Sequence, residues 1–131
     1  MNIVIDVSGV TDILLQKGKA GEFNTILQKA SHILAPDLYI PELTNTMWKY
    51  YRTGKLTEEK CLQHIYHGIG IIDTFIDSKT IWQEAFAEGI KNNHFIYDML
   101  YFVCARRNNA ALITGDSGLA EIAKKNKIKV P

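Results

Sequence analysis

Short apolar runs alternate with amphipathic segments along the whole chain. Runs rich in β-branched or other apolar residues are typical of buried parallel strands, and they lie at residues 2–8, 32–35, 69–75, 110–114 and 128–130. Apolar residues at helical spacing predict helices between these runs. We place the helices at residues 10–16, 22–30, 41–52, 58–67, 78–89, 95–107 and 119–125. Gly9 is expected to end the first apolar run before the first helix begins.

This alternation predicts an α/β fold in which a central parallel sheet of about five strands has helices on both faces. A chain of 131 residues fits one hydrophobic core, so we expect a single domain over residues 1–131. No apolar run approaches the roughly 18 residues of a membrane span. The first residues have no basic segment, and Asp6 interrupts their only apolar stretch. We therefore expect a cytoplasmic protein without a signal peptide.

Charge changes the picture only locally. The formal net charge is +1, from 15 basic and 14 acidic residues. This balance excludes binding to nucleic acid through a general excess of positive charge, although it leaves room for a local basic rim. Candidates for such contacts with phosphates are weak when taken singly, because solvated lysines explain them equally well. They are Lys17, Lys49, Arg52, Arg106, Lys124, Lys125, Lys127 and Lys129.

Acidic residues occur where the strands of the predicted sheet end, which is where open parallel sheets bind ligands. Asp6 ends the first strand, and Asp116 follows the fourth. Glu42 and Asp98 lie in the first turns of two helices. Each acid also has an ordinary explanation in a turn or at a helix N-terminus. The ordinary explanation is weakest for Asp6, because a carboxylate at the end of a buried strand is costly unless it is paired or bound to a cation.

Taken together, the four acids predict a metal site. Carboxylates in one pocket repel each other, and a divalent cation with a preference for oxygen ligands, Mg²⁺ or Mn²⁺, relieves that repulsion. Four ionised acids would leave +5 for the remaining chain, which suits a polyanion as substrate. Ser8, Asn45 and Thr114 are candidates to orient the acids or to hold water molecules.

Four short blocks in the chain carry a resemblance to a known family. They are Ile-Val-Ile-Asp-Val-Ser at 3–8, Pro-Glu-Leu-Thr-Asn at 41–45, Tyr-Asp-Met-Leu-Tyr at 97–101 and Leu-Ile-Thr-Gly-Asp at 112–116. In this order they resemble the signature blocks of PIN-domain ribonucleases, and in particular of the small VapC-like toxins of toxin–antitoxin pairs. The resemblance extends from the first strand to nearly the last residue.

The resemblance implies a PIN-like three-layer sandwich and a metal-dependent endoribonuclease that cuts single-stranded or loop RNA. It implies a cognate antitoxin protein and a homodimer as partners, and Mg²⁺ or Mn²⁺ as cofactor. By motif position, the acidic set corresponds to Asp6, Glu42, Asp98 and Asp116, and the supporting positions to Ser8, Asn45 and Thr114. Gly118 departs from the pattern, because some relatives carry a further acid there.

Two other functions remain open. A PIN-like domain could bind RNA or a protein without cutting, although such domains usually lose one of the acids. The pattern of Asp6 at the end of the first strand and Asp116 later in the chain also resembles that of haloacid-dehalogenase-like phosphatases. Ser8, however, stands where that family needs a second acid. Its lysine would have to be replaced by Arg106 or Arg107.

Two sets of residues near these blocks are expected to have structural roles. His94 precedes Asp98 by one helical turn and could approach the pocket, but we expect it rather to cap the helix or to lie on the surface. Trp48, Tyr50 and Tyr51 follow Glu42 on the same helix. We expect them to pack in the core rather than to stack on bases. A place in a protein interface is the option between these two, since VapC-like proteins commonly dimerise and hold an antitoxin against this helical region.

Overall fold

The computed structural model describes residues 1–131. The strands are β1 (Asn2–Ile5), β2 (His32–Pro36), β3 (Thr74–Ile76) and β4 (Ala111–Ile113). The helices are α1 (Val7–Leu14), α2 (Ala20–Gln28), α3 (Tyr39–Arg52), α4 (Glu58–Gly70), α5 (Trp82–Asn92), α6 (Ile96–Arg107) and α7 (Ser117–Lys125). A short 3₁₀ turn, Ser78–Thr80, precedes α5.

All strand pairs are parallel, in the order β3-β2-β1-β4, with helices flanking the sheet. The predicted α/β fold with a parallel sheet is therefore confirmed. The side chains of Ile3, Val4 and Ile5 are almost fully buried because β1 lies inside the sheet. Ile5 of β1 is paired with Ile113 of β4. Asp6 follows Ile5, and Thr114 follows Ile113. The two residues consequently lie side by side at the same edge of the sheet.

Helix α6 packs on the sheet and connects it to neighbouring helices. It packs on β1, β2 and β4 and also contacts α5 and α7. Every residue from 99 to 105 is buried, so the helix lacks the polar stripe of a surface helix. Its N-terminal turn carries Asp98 to the edge of the sheet where the strands end. None of the helices is both long enough and apolar enough to cross a membrane.

The first helix begins earlier than the sequence predicts. The carboxylate of Asp6 accepts a hydrogen bond from the backbone N–H of Gly9 (2.8 Å) and thereby caps α1, which starts at Val7. Gly9 therefore lies inside the helix, and its predicted role as a break is wrong. An aspartate N-cap contributes about 1 kcal/mol, which offsets the similar cost of one glycine in a helix.

The sheet has four strands rather than about five. The predicted last strand, at 128–130, makes one backbone hydrogen bond to β4, from Leu112 N–H to Lys129 C=O (2.9 Å). Lys127 before it has a positive φ of 62°, so the chain turns instead of extending into a ladder. The predicted run at 69–75 is also shifted, because α4 continues to Gly70 and β3 starts at Thr74.

We predict that Gly9→Ala destabilises the protein. A Cβ atom at position 9 would lie 3.1 Å from the backbone oxygen of Ile113 and 3.2 Å from Cγ1 of Ile5. Forcing α1 away from the sheet should lower the free energy of unfolding by about 1–3 kcal/mol in urea titrations.

Gly21→Ala in α2 is the matched control, because a Cβ there meets no atom within 4 Å. It should leave stability unchanged or raise it by up to about 1 kcal/mol. Equal effects of the two substitutions would show that the approach of α1 to β4 is not limiting.

Candidate active site

Four acids from separate parts of the chain line one pocket at the edge of the sheet where the strands end. The pocket has a volume of about 410 Å³. Asp6 follows β1, Glu42 lies in α3, Asp98 lies in α6 and Asp116 precedes α7. The structure thus brings together all four of the acids that the sequence singles out.

Asp6 is buried, with 5% of its surface exposed, and its carboxylate has three hydrogen-bond donors. Besides the N–H of Gly9, these are the hydroxyls of Ser8 (2.7 Å) and Thr114. Burial raises the pKa of Asp6 to about 6, the three hydrogen bonds oppose this rise, and the charge of Asp98 adds to it. The carboxylate therefore has protein partners, yet the pocket still disfavours its charge.

Ser8 and Thr114 connect Asp6 to the loop that follows β4. The hydroxyl of Ser8 accepts a hydrogen bond from the backbone N–H of Gly115 (2.8 Å). The hydroxyl of Thr114 accepts one from the backbone N–H of Asp116 (3.0 Å). Both hydroxyls donate to Asp6, so their geometry fits the predicted task of orienting carboxylates. Thr114 does so from behind the pocket rather than from its wall.

Glu42 is held by a residue that the sequence analysis did not single out. The hydroxyl of Tyr101 donates to Oε1 of Glu42 at 2.7 Å, and Tyr101 is almost fully buried. Burial raises the pKa of Glu42, the Tyr101 hydrogen bond lowers it, and the charge of Asp98 raises it again. Burial and the neighbouring Glu42 also raise the pKa of Tyr101, which keeps its hydroxyl protonated as a donor. Tyr101 lies three residues after Asp98, a spacing that places both on one helix face.

Asp98 is paired with His94, whose Nε2 lies 2.7 Å from Oδ2 of the carboxylate. The two side chains are 17% and 23% exposed, so the expected surface or capping role of His94 is wrong. A Cβ atom at Gly118 would lie 3.3 Å from Cε1 of His94 and 3.2 Å from Oδ1 of Asp116. Gly118, the position that departs from the family pattern, therefore lies close to His94 of this pair.

Other polar residues of the pocket differ from the predicted set. Asn45 is exposed and does not line the pocket, whereas Thr46, four residues after Glu42, does. Asp12 lines the pocket as a fifth acid. It lies four residues after Ser8 on α1, a relation that becomes visible only when the helix starts at Val7.

Lys17 is the one cation in the pocket wall, and its amino group donates to the hydroxyl of Tyr50 at 3.0 Å. This hydrogen bond raises the pKa of Lys17. Trp48 and Tyr51 are 50% and 53% exposed, so the expectation that they pack in the core is wrong. Arg52 lies over the Trp48 ring, 5.4 Å from its centroid.

The pocket offers oxygen ligands without a closed metal site. No three His, Cys, Asp or Glu side chains come close enough to each other to hold a metal ion between them. The acids have separate partners, since Ser8, Tyr101 and His94 each hold a different carboxylate. Asp116 is held as well, because its carboxylate accepts from the N–H of Leu119 and caps α7. The arrangement concentrates negative charge in one cavity and keeps each carboxylate in a fixed position.

We predict that the stability of the metal-free protein depends on pH through Asp6. Its pKa is about 6 in the folded protein against an ordinary value of 3.8. A carboxyl whose pKa rises on folding contributes stability below about pH 4 and loses this contribution as the pH rises through about 6. Relative to Asp6→Asn, the wild type should lose on the order of 3 kcal/mol between pH 4 and 7.

Urea unfolding in EDTA at several pH values measures this difference. Asparagine is also a good N-cap, so Asp6→Asn keeps the bond to Gly9 while it removes the titration. Parallel stability–pH curves for the two proteins would contradict the assignment.

Comparisons with known proteins agree with this fold. No protein-family model matches the chain. It is 24% identical over 124 residues to Ribonuclease VapC3 of Pyrobaculum aerophilum, an alignment that covers 92% of this chain and 94% of that protein.

Two crystal structures share the fold. PAE2754 from Pyrobaculum aerophilum superposes with a TM-score of 0.77 at 17% identity, over 99% of this chain and 83% of that one. VapBC2 from Rickettsia felis, bound to a DNA fragment from its promoter, superposes with a TM-score of 0.68 at 13% identity, over 100% of this chain and 98% of that one. The chain therefore has the fold of PIN-domain proteins, and its resemblance to the VapC ribonucleases of toxin–antitoxin pairs is confirmed.

Proposed function

We propose that this protein is a metal-dependent endoribonuclease that hydrolyses phosphodiester bonds of RNA. The observation that carries the proposal is the meeting of Asp6, Glu42, Asp98 and Asp116 in one pocket. The similarity to Ribonuclease VapC3 over almost the full length of both chains supports it.

The donor set fits Mg²⁺ or Mn²⁺. The acids in the pocket wall provide hard oxygen ligands, and neither cysteine nor histidine lines the wall. Mg²⁺ usually keeps several waters and uses one or two carboxylates together with substrate phosphates, so it does not need three converging side chains. The charge of Asp98 raises the pKa of both Asp6 and Glu42, and a cation between these carboxylates would relieve that repulsion.

When bound, the cation would make a water molecule more acidic and would offset the charge that develops on the phosphoryl oxygens. The chain itself keeps the carboxylates in position before the substrate arrives. Ser8 and Thr114 fix Asp6, Tyr101 fixes Glu42 and His94 fixes Asp98. Fixed charges need little reorganisation during the reaction, which favours catalysis. Since water attacks rather than the 2′-hydroxyl, the products should carry a 5′-phosphate and a 3′-hydroxyl.

We also propose that the protein is the toxin of a toxin–antitoxin pair and that it binds an antitoxin protein and a second copy of itself. The similarity to VapC3 and the fold shared with the Rickettsia felis complex support this proposal. The chain has apolar side chains that a protein partner could cover. Trp82, Phe86 and Ile90 recur every four residues on α5 and are each more than half exposed.

No observation favours the two alternatives. A non-catalytic module would not need four acids in one pocket. For a phosphatase, Ser8 stands where a second acid is needed. The guanidinium groups of Arg106 and Arg107, the two cations considered in place of its lysine, bind Glu84 and Glu88 between α5 and α6. Neither arginine lines the pocket.

We predict that the purified protein cuts a labelled, structured RNA in Mg²⁺ or Mn²⁺ and not in excess EDTA. Asp98→Asn should reduce cleavage at least about a hundredfold, because it removes one charge from the metal-binding set. A circular RNA should also be cut, since an endonuclease needs no free end.

Glu59→Gln is the matched control, because Glu59 is exposed on α4 and does not line the pocket. It should cut like the wild type. Cleavage that survives both EDTA and Asp98→Asn would refute the proposed site, and 2′,3′-cyclic phosphate ends would refute the proposed mechanism.

We predict that induced expression of the wild type in a bacterial host arrests growth, since uncontrolled RNA cleavage stops translation. Asp98→Asn, expressed to the same level by immunoblot, should permit growth at the rate of the empty vector. Equal growth of cells that express wild type or variant would argue against the toxin role and leave the nuclease test independent.

A further inference from the structure

A second groove adjoins the pocket that holds the four acids. It has a volume of about 440 Å³ and shares Asp12, Gly115 and Asp116 with that pocket. Its own wall includes the side chains of Lys19 and Lys124. The two depressions therefore adjoin each other, and we call the boundary formed by the three shared residues the ridge.

The loop between α1 and α2 contributes a lysine to each side of this ridge. Lys17 lines the pocket of the acids, whereas Gly18 and Lys19 line the second groove. The left-handed backbone at Gly18, with φ of 55°, separates the two lysines and turns the chain over Asp12. A Cβ atom at Gly18 would lie 2.5 Å from Oδ2 of Asp12, so the loop packs tightly against α1 and can present both lysines from a fixed backbone.

We propose that the RNA strand crosses this ridge, with Lys17 binding a backbone phosphate on one side of the scissile bond and Lys19 and Lys124 binding one on the other side. The inference rests on the proposed nuclease function and adds the path of the substrate and its phosphate contacts.

Charge distribution supports this path. Lys17 is oriented by its hydrogen bond to Tyr50. Three acids line the second groove. Asp116 is one of the four acids that would hold the cation, Asp12 borders both depressions, and Glu121 has a cation of its own, because Lys125 lies 3.4 Å from its carboxylate. Lys19 and Lys124 have no ion-pair partner within 4.0 Å. Both residues are exposed and can bind an anion, and lysine is a point-charge ligand for phosphate.

Contacts of this kind position a strand without reading its bases. They also release counterions, so that each phosphate contact to a single strand adds about 0.7 to the slope of log K against log salt concentration. The three lysines therefore predict a measurable salt dependence that does not depend on the base sequence.

The first experiment measures binding of a fluorescent single-stranded RNA to the full chain carrying Asp98→Asn, at several salt concentrations in Mg²⁺. Adding Lys19→Ala and Lys124→Ala should weaken binding and reduce the salt slope by about 0.7, since the two lysines bind one phosphate. Lys29→Ala with Lys60→Ala is the matched control, since both lysines are exposed and line neither depression.

The second experiment assigns the two sides. Once the bond that the wild type cuts has been mapped, a neutral methylphosphonate replaces the phosphate on its 5′ or its 3′ side. With Lys19→Ala and Lys124→Ala, KM should become insensitive to the neutral linkage on one side only. With Lys17→Ala, it should become insensitive on the opposite side.

The outcomes separate the inference from the function on which it rests. A wild type that cuts RNA, together with lysine variants that keep its KM, its salt slope and its sensitivity to both linkages, would overturn the proposed path. Equal effects of the control pair would also overturn it. A wild type that cuts no RNA in Mg²⁺ or Mn²⁺ would instead overturn the proposed nuclease function.

Discussion

The buried carboxylate of Asp6 is the interaction on which the rest of this structure depends. It caps α1 by accepting a hydrogen bond from the N–H of Gly9, and it also accepts hydrogen bonds from the hydroxyls of Ser8 and Thr114. Through these hydroxyls it connects the end of β1 to the loop after β4. The parallel pairing of Ile5 with Ile113 makes this connection possible, because β1 and β4 therefore end next to each other at the same edge of the sheet. One side chain thus joins the sheet, a helix N-terminus and the pocket.

This arrangement makes ionisation of the carboxylates in the pocket unfavourable. Burial disfavours the charged form of Asp6, and the charge of Asp98 disfavours it further. Glu42 is subject to the same two effects. A site that is unfavourable for its own carboxylates is favourable for a divalent cation, since the cation offsets the repulsion that folding has imposed. The same property thus lowers the stability of the metal-free protein and would supply its affinity for metal.

The sequence predicts those features that depend on local pattern. The apolar runs around Ile3, Ile33 and Leu112 become strands, and the acids that follow β1 and β4 meet because parallel strands end at one edge. Features that depend on tertiary contacts are not predicted. The choice of Thr46 over Asn45 depends on how α3 is rotated against its neighbours, since residues three and four positions after Glu42 are both near it on a helix. The segment at 128–130 has a strand-like composition, but its single hydrogen bond to β4 leaves it outside the sheet.

Four of the five acids in the pocket are each anchored by a chemically different partner, and this separation has a consequence for how the site can work. Hydroxyls hold Asp6, a buried phenol holds Glu42, an imidazole holds Asp98 and a helix N-terminus holds Asp116. None of the partners is shared among the acids except Thr114, whose hydroxyl contacts Asp6 and the backbone of Asp116. The carboxylates are therefore held by separate contacts. The proposed cation and the phosphate of the proposed substrate would enter between them while those contacts persist, and this is what a preorganised site requires.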